Sequence, residues 1–463
     1  MNIECLMKFD LGQRAKHIRS IPVRLGSGKD AILFVYSADE GVDPGEEYYH
    51  HPTDTLKLAL FDGDGTRRWV RDLGSGVIPG IWFCPVLALD LNMDGADEIY
   101  FLNNKNPKTP FSFVYRKLEA IDPDTGEVCG SWDWPDNTFN ERLSLCYRFY
   151  LAAGYADGKP VLITSQGTYG DMYLQGYGPG MVKLWDKVIS KDEPGPRASH
   201  LTPVLDFNDD GADELFWGER LLSVRDGSEV LCCDRDRYNG HSDLVIPFVD
   251  FDTGEKFIFT CREGDERPGE PRIVTFNSDG SYKWRAVDGE GHMHFAWLAT
   301  FGTPQKPRRV FMVMQEVQYW GETQMERGAP IERYFDAYTG EQLEMNFVCL
   351  GSQMIPIDVN GDGISEFYVS GGEHKGEIID QYGNTIAKID GEQVKNGYML
   401  KKFHGEQLMV LDPSGVVRIF GDTDAVGEGL FLKRHGYKNY LAFMDKLMAT
   451  GYNHYRSNIT CGI

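Results

Sequence analysis

One nine-residue sentence occurs three times in this chain. It reads Asp90-Leu91-Asn92-Met93-Asp94-Gly95-Ala96-Asp97-Glu98, then Asp206-Phe207-Asn208-Asp209-Asp210-Gly211-Ala212-Asp213-Glu214, then Asp358-Val359-Asn360-Gly361-Asp362-Gly363-Ile364-Ser365-Glu366. Each copy leads into β-branched or aromatic residues: Ile99-Tyr100-Phe101, Leu215-Phe216-Trp217 and Phe367-Tyr368-Val369. Acids and an Asn at alternate positions of a sharp Gly turn bring oxygen atoms to one point, as a hard cation such as Ca²⁺ requires. An EF-hand would place a bidentate Glu at loop position twelve, with a helix after it. Position twelve is Phe101, Trp217 or Val369, so each loop joins two strands instead. For a single copy, a plain acidic turn is the competing reading. Full recurrence favours calcium on Asp90, Asn92, Asp94, Asp97 and Glu98, on Asp206, Asn208, Asp210, Asp213 and Glu214, and on Asp358, Asn360, Asp362 and Glu366.

The loops sit inside a longer repeat. The unit is a strand, an acidic or Gly turn, a second strand, and a third strand that ends in an Asp/Asn–Gly hairpin and often a Trp. Examples are Asp62-Gly63-Asp64-Gly65 before Trp69, Asp122 to Gly126 before Trp132, Asn277 to Gly280 before Trp284, and Asp412 to Gly415. Gly or Asn supplies the positive φ that such turns need. Units fall at 14–70, 84–133, 147–187, 200–233, 241–285, 292–345, 352–390 and 396–420. This predicts an all-β fold: one eight-bladed β-propeller over residues 1–463, seven blades being the second choice. Residues 439–450 have short-helix character, and the tail 439–463 is expected to close or brace the ring.

With 463 residues the chain can bury a large core, and its net charge of −23 disfavours nucleic acid and anionic membranes as partners. Nine scattered Cys without a CxxC do not make a disulfide scaffold. The N-terminal residues lack an apolar stretch of signal-peptide length, and no apolar run reaches membrane-spanning length. The expectation is a cytoplasmic protein, with its oligomeric state left open.

In an antiparallel blade, the start of one strand and the end of the next lie at the same end of the sheet. Several units carry polar residues at both places: Arg148 with Gln166, His200 with Glu219, His241 or Asp243 with Glu263, His292 or His294 with Glu316, and Gln353 with Glu373. A closed ring gathers these groups on one face, where a His/Asp/Glu collection makes a metal site or an acid–base site. The bland alternative is that each His caps a strand or bonds a buried carbonyl.

Residues 148–173, RFYLAAGYADGKPVLITSQGTYGDMY, together with Ser199-His200 and the acidic loop after it, resemble the rhamnogalacturonan lyases of polysaccharide lyase family 11. Gly240-His241-Ser242-Asp243 resembles that family's GHGD element, Val417 to Phe420 its VRIF, and Tyr452-Asn453-His454 stands where it has YNQPPH. The resemblance implies an eight-bladed propeller with structural calcium ions. It also implies an active-site calcium held by positions matching His200, His241, Asp243 and Glu263, and cleavage of an acidic glycan by β-elimination at galacturonate. The sequence departs from the family twice: Gln353 replaces a Lys, and His292 or His294 replaces an Arg.

β-Elimination needs a neutralised uronate carboxylate and a base for the α proton. Arg148 is a further cation, and the base candidates are His294, His292, Tyr147, His454 and Tyr452. Gln353, Gln166, Glu316 and Tyr452 are the candidates for holding an acidic oligosaccharide. Two other classes stay open: a glycoside hydrolase using paired carboxylates, and a propeller that binds without catalysis.

Overall fold

The computed structural model describes residues 1–42, 52–106, 115–134, 148–263, 270–286, 292–316, 318–320, 325–327, 329–345, 354–389, 393–398 and 404–435. For His294, Glu316, 318–320, 325–327 and 393–398 the backbone alone is described.

Eight antiparallel sheets follow one another in chain order as the blades of a propeller. The first is His17–Arg24, Asp30–Ser37, Lys57–Asp62 and Arg67–Asp72; the second Val86–Leu89, Glu98–Asn104, Arg116–Ile121 and Val128–Asp133. The third is Phe149–Ala156, Lys159–Gln166, Met172–Gly178 and Val182–Ile189; the fourth Val204–Leu205, Glu214–Trp217, Arg220–Ser223 and Glu229–Cys232. The fifth is Ser242–Val249, Lys256–Arg262, Ile273–Asn277 and Tyr282–Ala286. In the sixth, His292–Thr303, Lys306–Glu316 and Ile331–Asp336 pair, and the small hairpin Gln318–Trp320/Met325–Arg327 interrupts them. The seventh is Met354–Ile357, Glu366–Val369, Glu377–Ile379 and Thr385–Lys388.

The eighth blade draws on both ends of the described chain. Gln393–Tyr398, Gln407–Leu411 and Val416–Asp422 take Ile3–Asp10 as their fourth strand, in a register running from Ile3↔Asp422 to Asp10↔Val416. The N-terminal strand, which the repeat count left outside its units, therefore seals the ring. The tail expected to brace it, residues 439–463, lies outside the described residues, as do 439–450 with their expected helix. A short helix, Gly429–His435, follows the eighth blade.

The recurrent Trp has a defined task. The Nε1 atoms of Trp69, Trp185 and Trp284 donate to the carbonyls of Pro123, Val224 and Ala337, at 2.7, 2.8 and 3.0 Å. Each ring thus leaves its own outer strand and lies on the hairpin turn of the next blade. A Cβ on Gly126 or Gly227 would sit 2.9 or 2.8 Å from that ring, and both residues have φ near +70°. Gly is required there on both counts. This contact joins outer strands, while wholly buried inner strands such as Ser242–Val249 fill the core. Among the described residues no helix is long and apolar enough to cross a membrane.

Candidate metal centre

The inner strands of the third to sixth blades begin at one end of the ring. Arg148 directly precedes Phe149–Ala156, His241 precedes Ser242–Val249, and His292 opens His292–Thr303. His200 lies in the extended entry to the fourth blade, which is laced to the fifth. The His200 amide and the Ser199 hydroxyl both donate to the Asp243 carbonyl, at 3.3 and 3.0 Å. The His241 carbonyl is fixed in turn by the Glu263 amide at 3.1 Å and the Tyr238 hydroxyl at 2.5 Å.

This scaffold brings His200, His241, Asp243 and Glu263 together, with ligand-type atoms all within 4.8 Å of one another. His241 Nε2 lies 3.1 Å from His200 Nε2, and Asp243 Oδ1 lies 3.4 Å from His200 Nε2 and 3.5 Å from His241 Nε2. Both imidazoles and the aspartate are buried, while Glu263 is partly exposed. His241 Nδ1 is buried with no hydrogen-bond partner among the described residues. Three lone-pair atoms turned on one another repel unless a proton or a cation stands between them, so the donor set fits a divalent cation.

Four cationic or aromatic groups wall the cluster: Arg148, Trp82, Tyr169 and His292. Arg148 donates from Nη1 to His200 Nδ1 at 3.3 Å and lies between the rings of Trp82 and Tyr169, 4.9 and 5.3 Å from their centroids. Tyr169 packs against His241 at 4.7 Å. Its hydroxyl is held well above the ordinary tyrosine range, first by burial and then by the Glu263 and Asp243 charges, against the pull of Arg148. His292 Nε2 meets Asp243 Oδ2 at 2.6 Å and stands 3.7 Å from Glu263 Oε1.

No protein-family model matches the chain. Over 289 residues it is 22% identical to rhamnogalacturonan endolyase YesW of Bacillus subtilis (strain 168), a stretch covering 54% of this chain and 42% of that protein. The match therefore spans less than half of that relative's length. A Bacillus licheniformis PL11 rhamnogalacturonan lyase structure matches with a TM-score of 0.73 and 15% identity, over 99% of this chain and 81% of that one. The rhamnogalacturonan lyase YesW structure gives 0.69 and 16%, over 96% and 79%, and exotype rhamnogalacturonan lyase YesX gives 0.68 and 15%, over 96% and 80%. The fold is that of the rhamnogalacturonan lyases.

Within that fold the sequence-derived residues divide. Arg148, His200, His241, Asp243, Glu263 and His292 meet at the cluster. Gln166 is buried, and its Oε1 accepts from Trp134 Nε1 at 2.9 Å, which gives it a packing partner. Glu316 pairs in register with His292, and His294 falls at a register shift between Met293 and Phe295. Tyr147, Gln353, Tyr452 and His454 lie outside the described residues. Glu219, paired with His200 in the strand argument, is committed elsewhere. It is fully buried and accepts from Ser242 at 2.8 Å, Thr260 at 3.0 Å and Arg262 at 2.8 and 2.5 Å, so it braces the strand that carries Asp243. Trp82 and Tyr169 were not anticipated. The available signal for Trp82 was its position at the entry to the second blade, matching that of the histidines.

The three acidic loops share one internal pattern. The first Asp accepts the amide of the turn Gly at 3.0, 3.2 and 2.9 Å in chain order, and the Asn carbonyl accepts the amide of the Asp two residues on, at 2.8, 2.9 and 2.8 Å. Buried oxygens are left over: Glu214 Oε1 and Asp358 Oδ1 have no hydrogen-bond partner among the described residues. Burial raises both carboxyls to about 7 and holds Glu366 well above its usual range. Unpartnered buried carboxylate oxygens in an all-oxygen loop fit a calcium-type cation.

Proposed function

We propose that this protein is a carbohydrate lyase that cleaves uronate-containing glycans of the rhamnogalacturonan kind by β-elimination. Its cofactors on this reading are a divalent cation at His200, His241, Asp243 and Glu263, and calcium in the three acidic loops. The observation that carries the reading is the meeting of those four side chains with Arg148 and His292 at one end of a ring whose fold is shared with rhamnogalacturonan lyases.

The uronate carboxylate must be neutralised before the adjacent C–H proton becomes acidic enough to leave. A cation at the four ligands supplies that neutralisation when bound. Arg148 adds a positive charge close to the same point. An aspartate can only accept, so the 2.6 Å contact to Asp243 places a proton on His292 Nε2 and makes Nδ1 the ring's acceptor atom. His292 therefore takes the α proton at Nδ1, with His294 of the same strand as the second candidate base. Glu263, which is partly exposed, orients the sugar and faces His292.

A hydrolase would need two carboxylates free to act on the sugar; on this reading Asp243 and Glu263 are spent as cation ligands, and Glu219 is withdrawn into its ion pair with Arg262. The test is incubation with rhamnogalacturonan and other uronate oligosaccharides, with and without chelator, read by product mass and ultraviolet absorbance. Elimination yields an unsaturated, absorbing product with no added water. Products heavier by one water would establish the hydrolase, and binding without turnover would establish a recognition propeller.

A further inference from the structure

We infer that the eighth residue of each acidic loop, Asp97, Asp213 or Ser365, is not a cation ligand. It is a clasp that locks its blade to the inner strand of the blade before it. This assignment rests on the calcium-loop reading above and divides the labour within each loop.

The clasp is a reciprocal pair of hydrogen bonds, and all three loops have it. The position-eight amide donates to a carbonyl of the preceding blade: Asp97 to Arg24 at 2.9 Å, Asp213 to Tyr155 at 2.8 Å and Ser365 to Thr300 at 2.8 Å. The position-eight side chain then accepts the amide of that same partner. Asp97 Oδ2 takes the Arg24 N–H at 2.7 Å, Asp213 Oδ2 the Tyr155 N–H at 2.8 Å, and Ser365 Oγ the Thr300 N–H at 2.9 Å. In the first loop the other Asp97 oxygen also faces Arg24, 3.4 Å from its Nη2. Arg24, Tyr155 and Thr300 lie toward the far ends of His17–Arg24, Phe149–Ala156 and His292–Thr303. Two of those strands start at the cluster, one beside Arg148 and one at His292.

Position nine is turned the other way, as neighbours on an extended chain are. Oε2 of Glu98, Glu214 and Glu366 accepts the position-two amide of its own loop, from Leu91, Phe207 and Val359, at 3.3, 2.8 and 2.9 Å. Position nine thus belongs to the loop interior and position eight to the seam. Ser365 separates the two roles: a hydroxyl is a poor replacement for a calcium-ligating carboxylate, yet one oxygen is enough to accept an amide. The clasp also occurs apart from any acidic loop. The Glu406 amide donates to the Asp358 carbonyl at 2.8 Å, and Glu406 Oε2 accepts the Asp358 amide at 2.8 Å, tying the eighth blade to the seventh. The residues before it, Lys401-Lys402-Phe403-His404-Gly405, carry no carboxylate.

The test uses the full chain saturated with calcium. Bound calcium is counted per chain by elemental analysis, and amide hydrogen exchange is followed at Arg24, Tyr155 and Thr300. Asp97→Ala, Asp213→Ala and Ser365→Ala are each expected to keep the wild-type calcium count. In each, the partner amide should exchange about fivefold faster, because it loses one hydrogen bond. Asp97→Ser and Asp213→Ser retain an acceptor and should restore slow exchange with the calcium count unchanged; they carry the test if an alanine variant fails to fold. Glu98→Ala, by contrast, is expected to lose a calcium equivalent. Loss of a calcium equivalent in Asp97→Ser or Asp213→Ser overturns the inference, since position eight would then be a ligand. Unchanged exchange at the partner amides in the alanine variants overturns it as well. A wild-type chain that binds no calcium overturns the loop-calcium reading alone, and faster Arg24 exchange in Asp97→Ala then still establishes the clasp.

Discussion

His200 and His241 present their Nε2 atoms to each other at 3.1 Å, and Asp243 Oδ1 stands within 3.5 Å of both. Two blades have to be in register for that contact to exist. The parallel bridge between Ser199 and Ser242 supplies the register. Asp243 is the shared element, because its second oxygen holds His292. Asp243→Asn should therefore act twice. Calorimetric titration is expected to show ion affinity reduced by about one to two orders of magnitude. Turnover is expected to fall as well, because His292 loses the carboxylate that fixes its proton on Nε2. Unchanged ion affinity would remove Asp243 from the ligand set.

Arg148 and a loaded His200 are in conflict. A guanidinium can only donate, so the 3.3 Å contact makes His200 Nδ1 an acceptor and leaves the ring's proton on Nε2. A metal needs that Nε2 bare, with the proton on Nδ1. Loading thus turns Arg148 away, toward the opening and the substrate carboxylate. Arg148→Gln, whose Oε1 can accept from Nδ1, should bind the ion about tenfold more tightly while losing turnover. Direct titration of the variant checks this, and a weakened affinity counts against it.

Glu219 and Arg262 form a buried pair, both fully enclosed, with Asp234 a further partner of Arg262 at 2.8 Å. Removing one member leaves the other charged and buried. Glu219→Ala is expected to lower unfolding free energy by about 3 to 5 kcal/mol in urea titration. The double variant Glu219→Leu/Arg262→Leu should recover part of that loss. A small effect of the single change would mean that Asp234 alone satisfies the guanidinium.

The helix Gly429–His435 carries an acid-sensitive group. His435 stacks on Phe431 at 3.8 Å and donates from Nδ1 to the Phe431 carbonyl at 2.8 Å, beside Arg434 and with Glu406 Oε1 3.8 Å from Nε2. Burial first, then Arg434, lowers its pKa to about 3. Between that value and the ordinary 6.5 the unfolded chain binds a proton that the folded one refuses. The stability tied to neutral His435 is thus complete above pH 6.5 and is lost as pH falls toward 3. The slope is at most about 1.4 kcal/mol per pH unit. Thermal unfolding from pH 7 to 4 should show a steeper decline in the wild type than in His435→Gln.

The blades were legible because their turns are local. Asp122 to Gly126 and Asp336 to Gly340 announce hairpins by residue type alone, and each is capped by a Trp one blade earlier. The cluster was legible because strand starts recur at fixed places, which put His200, His241 and Asp243 at the same end of the ring. Glu219 misled for the same reason: position says which end a side chain occupies, and its charge partner decides whether it is available. Arg262 takes Glu219 out of the site, and nothing in the linear pattern marks that pairing. Trp82 and Tyr169 were missed because aromatic residues on a β-rich chain read first as core. Strand Ile3–Asp10 was missed because its partner is remote.

That remoteness carries a further meaning. Asn2 donates its backbone N–H to Asp422 Oδ1 at 2.6 Å, across 420 positions of chain. Strand Ile3–Asp10 is synthesised before the seven sheets that follow it and must wait, unmated, until the hairpin Gln407–Leu411/Val416–Asp422 gives it an edge to join. Assembly of the circle is thus a late, long-range step, slow by the entropy of loop closure and open to intermolecular pairing until it is complete.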